Sequence, residues 1–141
     1  MYVNKKVVVP GLIAGVLMLL AGLVLSRVFG IISPSINAEY LNPALFRPWS
    51  DPIMSLYFLY PFILGIILAW YWDMTKHLVK GKTAFEKAYK FGLVYWLIAG
   101  LPGMFITYSS FQVSLAMVLA WSISGLVNAV IAGFVFAKKL T

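Results

Sequence analysis

Side chains able to do acid–base, metal or nucleophilic chemistry are few in this sequence, and their spacing suits none of it. The 141 residues include four acids, one histidine and no cysteine. His77 follows Asp73 by one helical turn, which offers two ligands where a metal site needs three or four. Without cysteine, thiol–disulfide chemistry and Cys-based metal sites are absent, and a single histidine cannot form a bis-His haem site. Gly81-Lys82-Thr83 matches the tail of a phosphate-binding loop, but Lys76 stands where that motif needs its first glycine, and no strand precedes it. A serine nucleophile would lack a histidine at its own depth, and no carboxylate lies inside an apolar run to relay protons. No catalytic residue, cofactor or metal is expected, and the chain reads as non-enzymatic.

The polar groups that remain point to binding rather than to bond making. Glu39 and Asp51, half of the acids, share the stretch 30–52 with Arg47, and Arg27 lies just before it. Two acids against two arginines sum to zero, so internal ion pairing is expected. The two guanidiniums are the groups suited to an anionic headgroup or substrate. Asn128 lies deep in the last apolar run, where no water can solvate its amide, so it should point inward. It would bind a ligand or line a pore; otherwise it is polar glue to a serine, to Tyr57 or to a carbonyl freed by a proline. Pro61 and Pro102 each remove an intrahelical hydrogen bond. Pro102 is flanked by Gly100 and Gly103 and is the stronger break. Such breaks either present backbone carbonyls to a substrate or are static kinks. Trp121, with Trp96, Tyr57 and Tyr60, either lines an apolar ligand or lipid cavity or fills the core.

These residues sit in a chain that is 62% hydrophobic and 11% charged, with a mean hydropathy of +0.93. Soluble domains are nearer half apolar and a quarter charged, so a bilayer must cover the surface here. Four apolar runs, about 7–29, 53–72, 86–107 and 111–137, approach or exceed the ~20 residues that cross a hydrocarbon core. Continuous apolar runs exclude barrel strands, which alternate. The expected fold is therefore an all-α integral membrane protein, one domain over 1–141, with four transmembrane helices in a compact bundle and a structured outer loop at 30–52. All nine lysines fall on one side of such a chain, which predicts cytoplasmic N and C termini. The net charge of +7 is thus assigned to topology, not to nucleic acid. The first run exceeds a signal-peptide core and lacks an A-x-A-like cleavage site, so it reads as an uncleaved anchor.

Local chemistry marks the helix ends. Asp51-Pro52 is a helix start; Thr83-x-x-Glu86 and Ser109-x-x-Gln112 have capping-box spacing; Gly81 is placed to end the second helix. Every run carries a stripe of small residues for close packing: Gly11, Gly15 and Gly22; Gly65 and Ala69; Ala99 and Gly103; Gly125, Ala129 and Gly133, beside Ser124, Asn128 and Ala132. Trp70, Tyr71, Trp72 and Tyr89 are assigned to a cytoplasmic interfacial belt; Tyr40, Trp49 and Tyr108 to the outer one. In the outer loop, Leu41, Leu45, Phe46 and Trp49 suggest a short interfacial helix or re-entrant lid.

The leading functional expectation is a non-enzymatic accessory or assembly subunit, or a homo-oligomer, acting through helix faces and the outer loop in the plasma membrane of a prokaryote. The alternative is a small transporter or a protein that binds a lipid or apolar ligand around Pro102, Gly103, Trp121 and Asn128. Headgroup chemistry by Glu39 and Asp51 ranks third.

Overall fold

The protein, described here over residues 5–141 by a computed structural model, forms helices wherever the apolar runs demand internal satisfaction of the backbone. They are α1 (Lys5–Ile32), α2 (Pro34–Tyr40), α3 (Leu56–Thr75), α4 (Ala84–Tyr95), α5 (Leu101–Ser110) and α6 (Leu115–Lys139), with no strand among the described residues. Short 3-10 turns extend α3 at both ends, and a π turn, Trp96–Gly100, joins α4 to α5. Four spans result: Lys5–Ile32, Pro52–Leu78, Ala84–Ser110 and Leu115–Lys139, each long and apolar enough to cross a membrane. The first three reach beyond the expected bounds at both ends, because amphipathic turns continue past the strictly apolar residues.

Two helix starts follow the sequence signals. The Ile53 N–H donates to Asp51 Oδ1 at 2.9 Å. The Glu86 N–H donates to Thr83 Oγ1 at 3.1 Å while Glu86 Oε2 accepts from the Lys82 N–H at 2.9 Å. Two other boundary signals, one start and one end, are corrected. Span 4 starts at Leu115, not 111, because Ser114 rather than Ser109 caps it, accepting from the Met117 N–H at 3.2 Å. Gly81 does not end the second helix: α3 stops at Thr75, and no glycine among the described residues has a positive φ. Pro10 is also inside α1, a third proline within a span.

Two helix pairs build the molecule. Spans 1 and 2 meet backbone to backbone: a Cβ on Gly65 would run into the carbonyl oxygen of Gly11, and one on Gly11 would come within 2.6 Å of the Ile66 Cα. Spans 3 and 4 meet through Gly133, whose Cβ would lie 2.9 Å from the Ala88 carbonyl oxygen, and Gly92, whose Cβ would lie 2.8 Å from the Val130 nitrogen. Where apolar solvent removes the hydrophobic drive, such close approach is the attraction. The two pairs join mainly along α1 and α6. Ala99 and Gly103 do not form the packing stripe of span 3; Ala88 and Gly92 do.

The lysine-bearing end is closed by an aromatic core. Trp72, Phe91 and Phe136 stack with centroids 5.1, 6.1 and 6.2 Å apart. The Trp72 indole N–H donates to the Leu140 carbonyl at 3.0 Å. Trp72 is 2% exposed, a core residue rather than a member of an interfacial belt, because its N–H finds a carbonyl inside the bundle. Lys6 and Lys76 both approach Asp73, at 3.7 and 2.9 Å, so the start of α1 and the ends of α3 and α6 lie together. Away from this end α3 and α4 have no extended packing.

Candidate functional site

Where spans 2 and 3 part, they leave a cavity of about 130 Å³ lined by residues of all four spans, including Gly22, Tyr57, Tyr60, Tyr95, Gly125 and Asn128. A second hollow of about 230 Å³ adjoins it, lined by Trp96, Gly100, Gly103, Trp121 and Ser122, and shares Tyr60, Tyr95 and Gly125 with the first. Neither lining contains a charged side chain. Asn128 is thirteen residues from the start of α6 and eleven from its end, about 20 and 16 Å at the helical rise, so the site is at mid-depth.

The elements open this space for stated reasons. Pro61 has no N–H for the Tyr57 carbonyl one turn earlier, and both residues line the first cavity. Pro102, near the start of α5, follows the π turn, in which the Leu101 N–H bonds to the Trp96 carbonyl across a widened loop. The expected break of span 3 is thus taken up as a bulge, a frequent feature of functional sites. Gly100 leaves room for the Trp96 ring, which a Cβ would meet at 2.8 Å, and the Trp96 N–H donates to the Ser122 carbonyl at 2.9 Å. Gly125 and Gly103 face space: the nearest atom to a Cβ at Gly125 is 3.9 Å away, and none lies within 4 Å at Gly103.

Asn128 points inward, but the cross-helix bond expected of polar glue is not made. Its Oδ1 is buried and has no hydrogen-bond partner among the described residues. Tyr60 of α3 and Tyr95 of α4 both line the two hollows where these helices part. Tyr60 itself is exposed on the side of the bundle, within a span.

Of the residues singled out in the sequence, Trp121, Gly103 and Asn128 line these hollows; Pro102 borders them as an exposed ring in the broken span. The other four lie at the opposite end from the lysines and do not converge. Arg47 Nη1 bonds Asp51 Oδ2 at 3.0 Å. Asp51 is held below the usual aspartate range, first by the Ile53 N–H and then by Arg47. Glu39 accepts from the Ser114 N–H at 3.0 Å, which ties the connection to the start of α6. Arg27 is exposed on α1 and forms no ion pair among the described residues. The helix of this connection precedes the Leu41–Trp49 stripe rather than containing it. Ile36 anchors it in a cluster with Met117 and Ala120, and the Trp121 N–H donates to the Tyr40 hydroxyl at 2.6 Å. Burial raises the Tyr40 pKa, against the opposing pull of the Trp121 hydrogen bond. Leu41 is left exposed, Phe46 stacks on Tyr40 and Trp121, and Trp49 on Tyr57 and Phe58.

Tyr95 was not singled out in the sequence, although it follows Gly92 by one turn and so shares the face that Gly92 presses onto α6. Compared with protein-family models, curated proteins and solved structures, the chain matches none.

Proposed function

We propose that this four-span membrane protein binds a lipid-like or apolar ligand inside its bundle, in the cavity beside Asn128. The observation that carries the reading is the buried, unpartnered Asn128 Oδ1 midway along the fourth span. A buried polar atom without a partner costs about 1–3 kcal/mol, and a bound lipid-like molecule that donates a hydrogen bond to Oδ1 would remove that cost. The tyrosine-rich lining and the exposure of Tyr60 on the side of the bundle support the same reading. A non-enzymatic accessory or homo-oligomeric role is the second reading. Its support is span 3, the least enclosed by its own chain: α5 has no buried residue, and Ile98, Phe105 and Ile106 all face outward. In either case the lysine-bearing end is assigned to the cytoplasm, supported by the charge bias.

Native mass spectrometry of the protein, extracted gently from its membrane, tests the choice. A reproducible small adduct that disappears in Gly125→Leu, which fills both hollows, is the expected result. A stoichiometric foreign subunit or a bare homo-oligomer, with no adduct in either protein, would overturn ligand binding in favour of the second reading.

A further inference from the structure

Resting on the ligand-binding reading, we infer that the ligand is a neutral amphiphile with a hydroxyl-type head and an apolar tail, which reaches Asn128 sideways between α3 and α4. Three observations converge. The first is charge. No acid, lysine, arginine or histidine lines either hollow, and an unpaired charge at the bilayer centre is strongly disfavoured. An ionised head would find no counter-charge there.

The second is hydrogen-bonding capacity. Asn128 Oδ1 lacks a donor, and Tyr57, Tyr60 and Tyr95 add hydroxyls that donate and accept. A ligand hydroxyl also does both, so it can give its proton to Oδ1 and accept from a tyrosine or from the amide nitrogen. An ester or ether head offers only acceptors and would leave Oδ1 as it is.

The third is size and access. The inner cavity is about 130 Å³, slightly smaller than an engineered cavity of about 150 Å³ that admits benzene. It accommodates a head and the first few carbons, not a whole phospholipid. The remaining chain would lie in the second hollow and out through the gap beside Tyr60, which is 60% exposed. The closed aromatic core of Trp72, Phe91 and Phe136 bars the lysine-bearing end, and the exposed Tyr60 marks the side as the proposed route.

Photolabelling of the full chain in phosphatidylcholine vesicles tests this with three probes of one chain length, each carrying a diazirine near the head: a long-chain alcohol, its methyl ether and the fatty acid at neutral pH. The alcohol should label residues around Met18, Tyr60 and Asn128. The ether should bind about five- to tenfold more weakly, the worth of one hydrogen bond, and the ionised fatty acid at least as weakly, since it lacks both the donor and a counter-charge. Asn128→Leu, which removes the carboxamide with its unpartnered oxygen and so keeps the fold, should level alcohol and ether. Equal labelling by alcohol and ether in the unaltered protein, or stronger labelling by the fatty acid, would overturn the hydroxyl inference while ligand binding stands. Absence of cavity labelling by all three, as a water-filled cavity would give, would overturn both.

Discussion

Asp51 shows how a single, partly exposed side chain organises a connection in this protein. Its carboxylate caps the turn that leads into α3 through the Ile53 N–H and also holds Arg47, and both bonds favour the ionised form. Because the folded pKa lies below the ordinary value of 3.8, the stabilisation is complete above that value and is lost as pH falls through the folded one. Protection of the Ile53 amide, taken relative to the intrinsic exchange rate at each pH, should hold from neutral pH down to the ordinary carboxylate range, then fall on further acidification. Arg47→Ala should retain most of the protection, since the backbone bond is the larger cause. Protection lost near neutrality would exclude Asp51 as the cap. Asn128 is the opposite case, a side chain whose buried oxygen lacks a partner. The sequence identified it as inward-facing because no other group of its kind lies so deep, but chain order alone could not reveal that no donor would reach that oxygen.

Within the helices, glycines of similar sequence context do different work. Gly11 and Gly65 let two backbones touch, whereas Gly103 has open space around it. Gly65→Ala should cost about 1–3 kcal/mol, the usual range for overpacking, because the obstacle is a backbone carbonyl that cannot turn aside. Gly103→Ala should be neutral or stabilising by up to about 1 kcal/mol, as alanine is the better helix former. Unfolding titrations in mixed micelles would measure both, and equal effects at the two sites would contradict the packing described. The π turn at Trp96–Gly100 belongs to the same scale. Pro102 announced a break, but whether it would become a kink, a gap or a widened turn depended on the space that Gly100 leaves for the Trp96 ring.

Across the whole molecule, two glycine-packed helix pairs converge at the lysine-bearing end and diverge above it, and the cavity is the consequence. All nine lysines stand at that one end, with only two acids, Asp73 and Glu86, to offset them. Absence of cysteine makes topology directly measurable. In intact cells, an impermeant maleimide should label Ser50→Cys and spare Lys139→Cys until the membrane is opened. The reverse pattern would place the lysines outside and remove the support for a cytoplasmic assignment of the termini.

Four helices were legible in the chain because a bilayer leaves the backbone no other means of bonding to itself, so length and apolar continuity suffice. Capping at Asp51 and Thr83 was legible too, since those bonds span only two to four residues. Pairing of the helices was not. Each one carries small residues, and which stripes meet depends on distances among all four spans at once. The displacement of Trp72 from interface to core and the tie of Glu39 to Ser114, 75 positions apart, come from that same three-dimensional closure. So does the site itself: Tyr57, Tyr60, Tyr95 and Asn128 are scattered over three spans, and only packing that closes one end and leaves the middle open brings them around a common space.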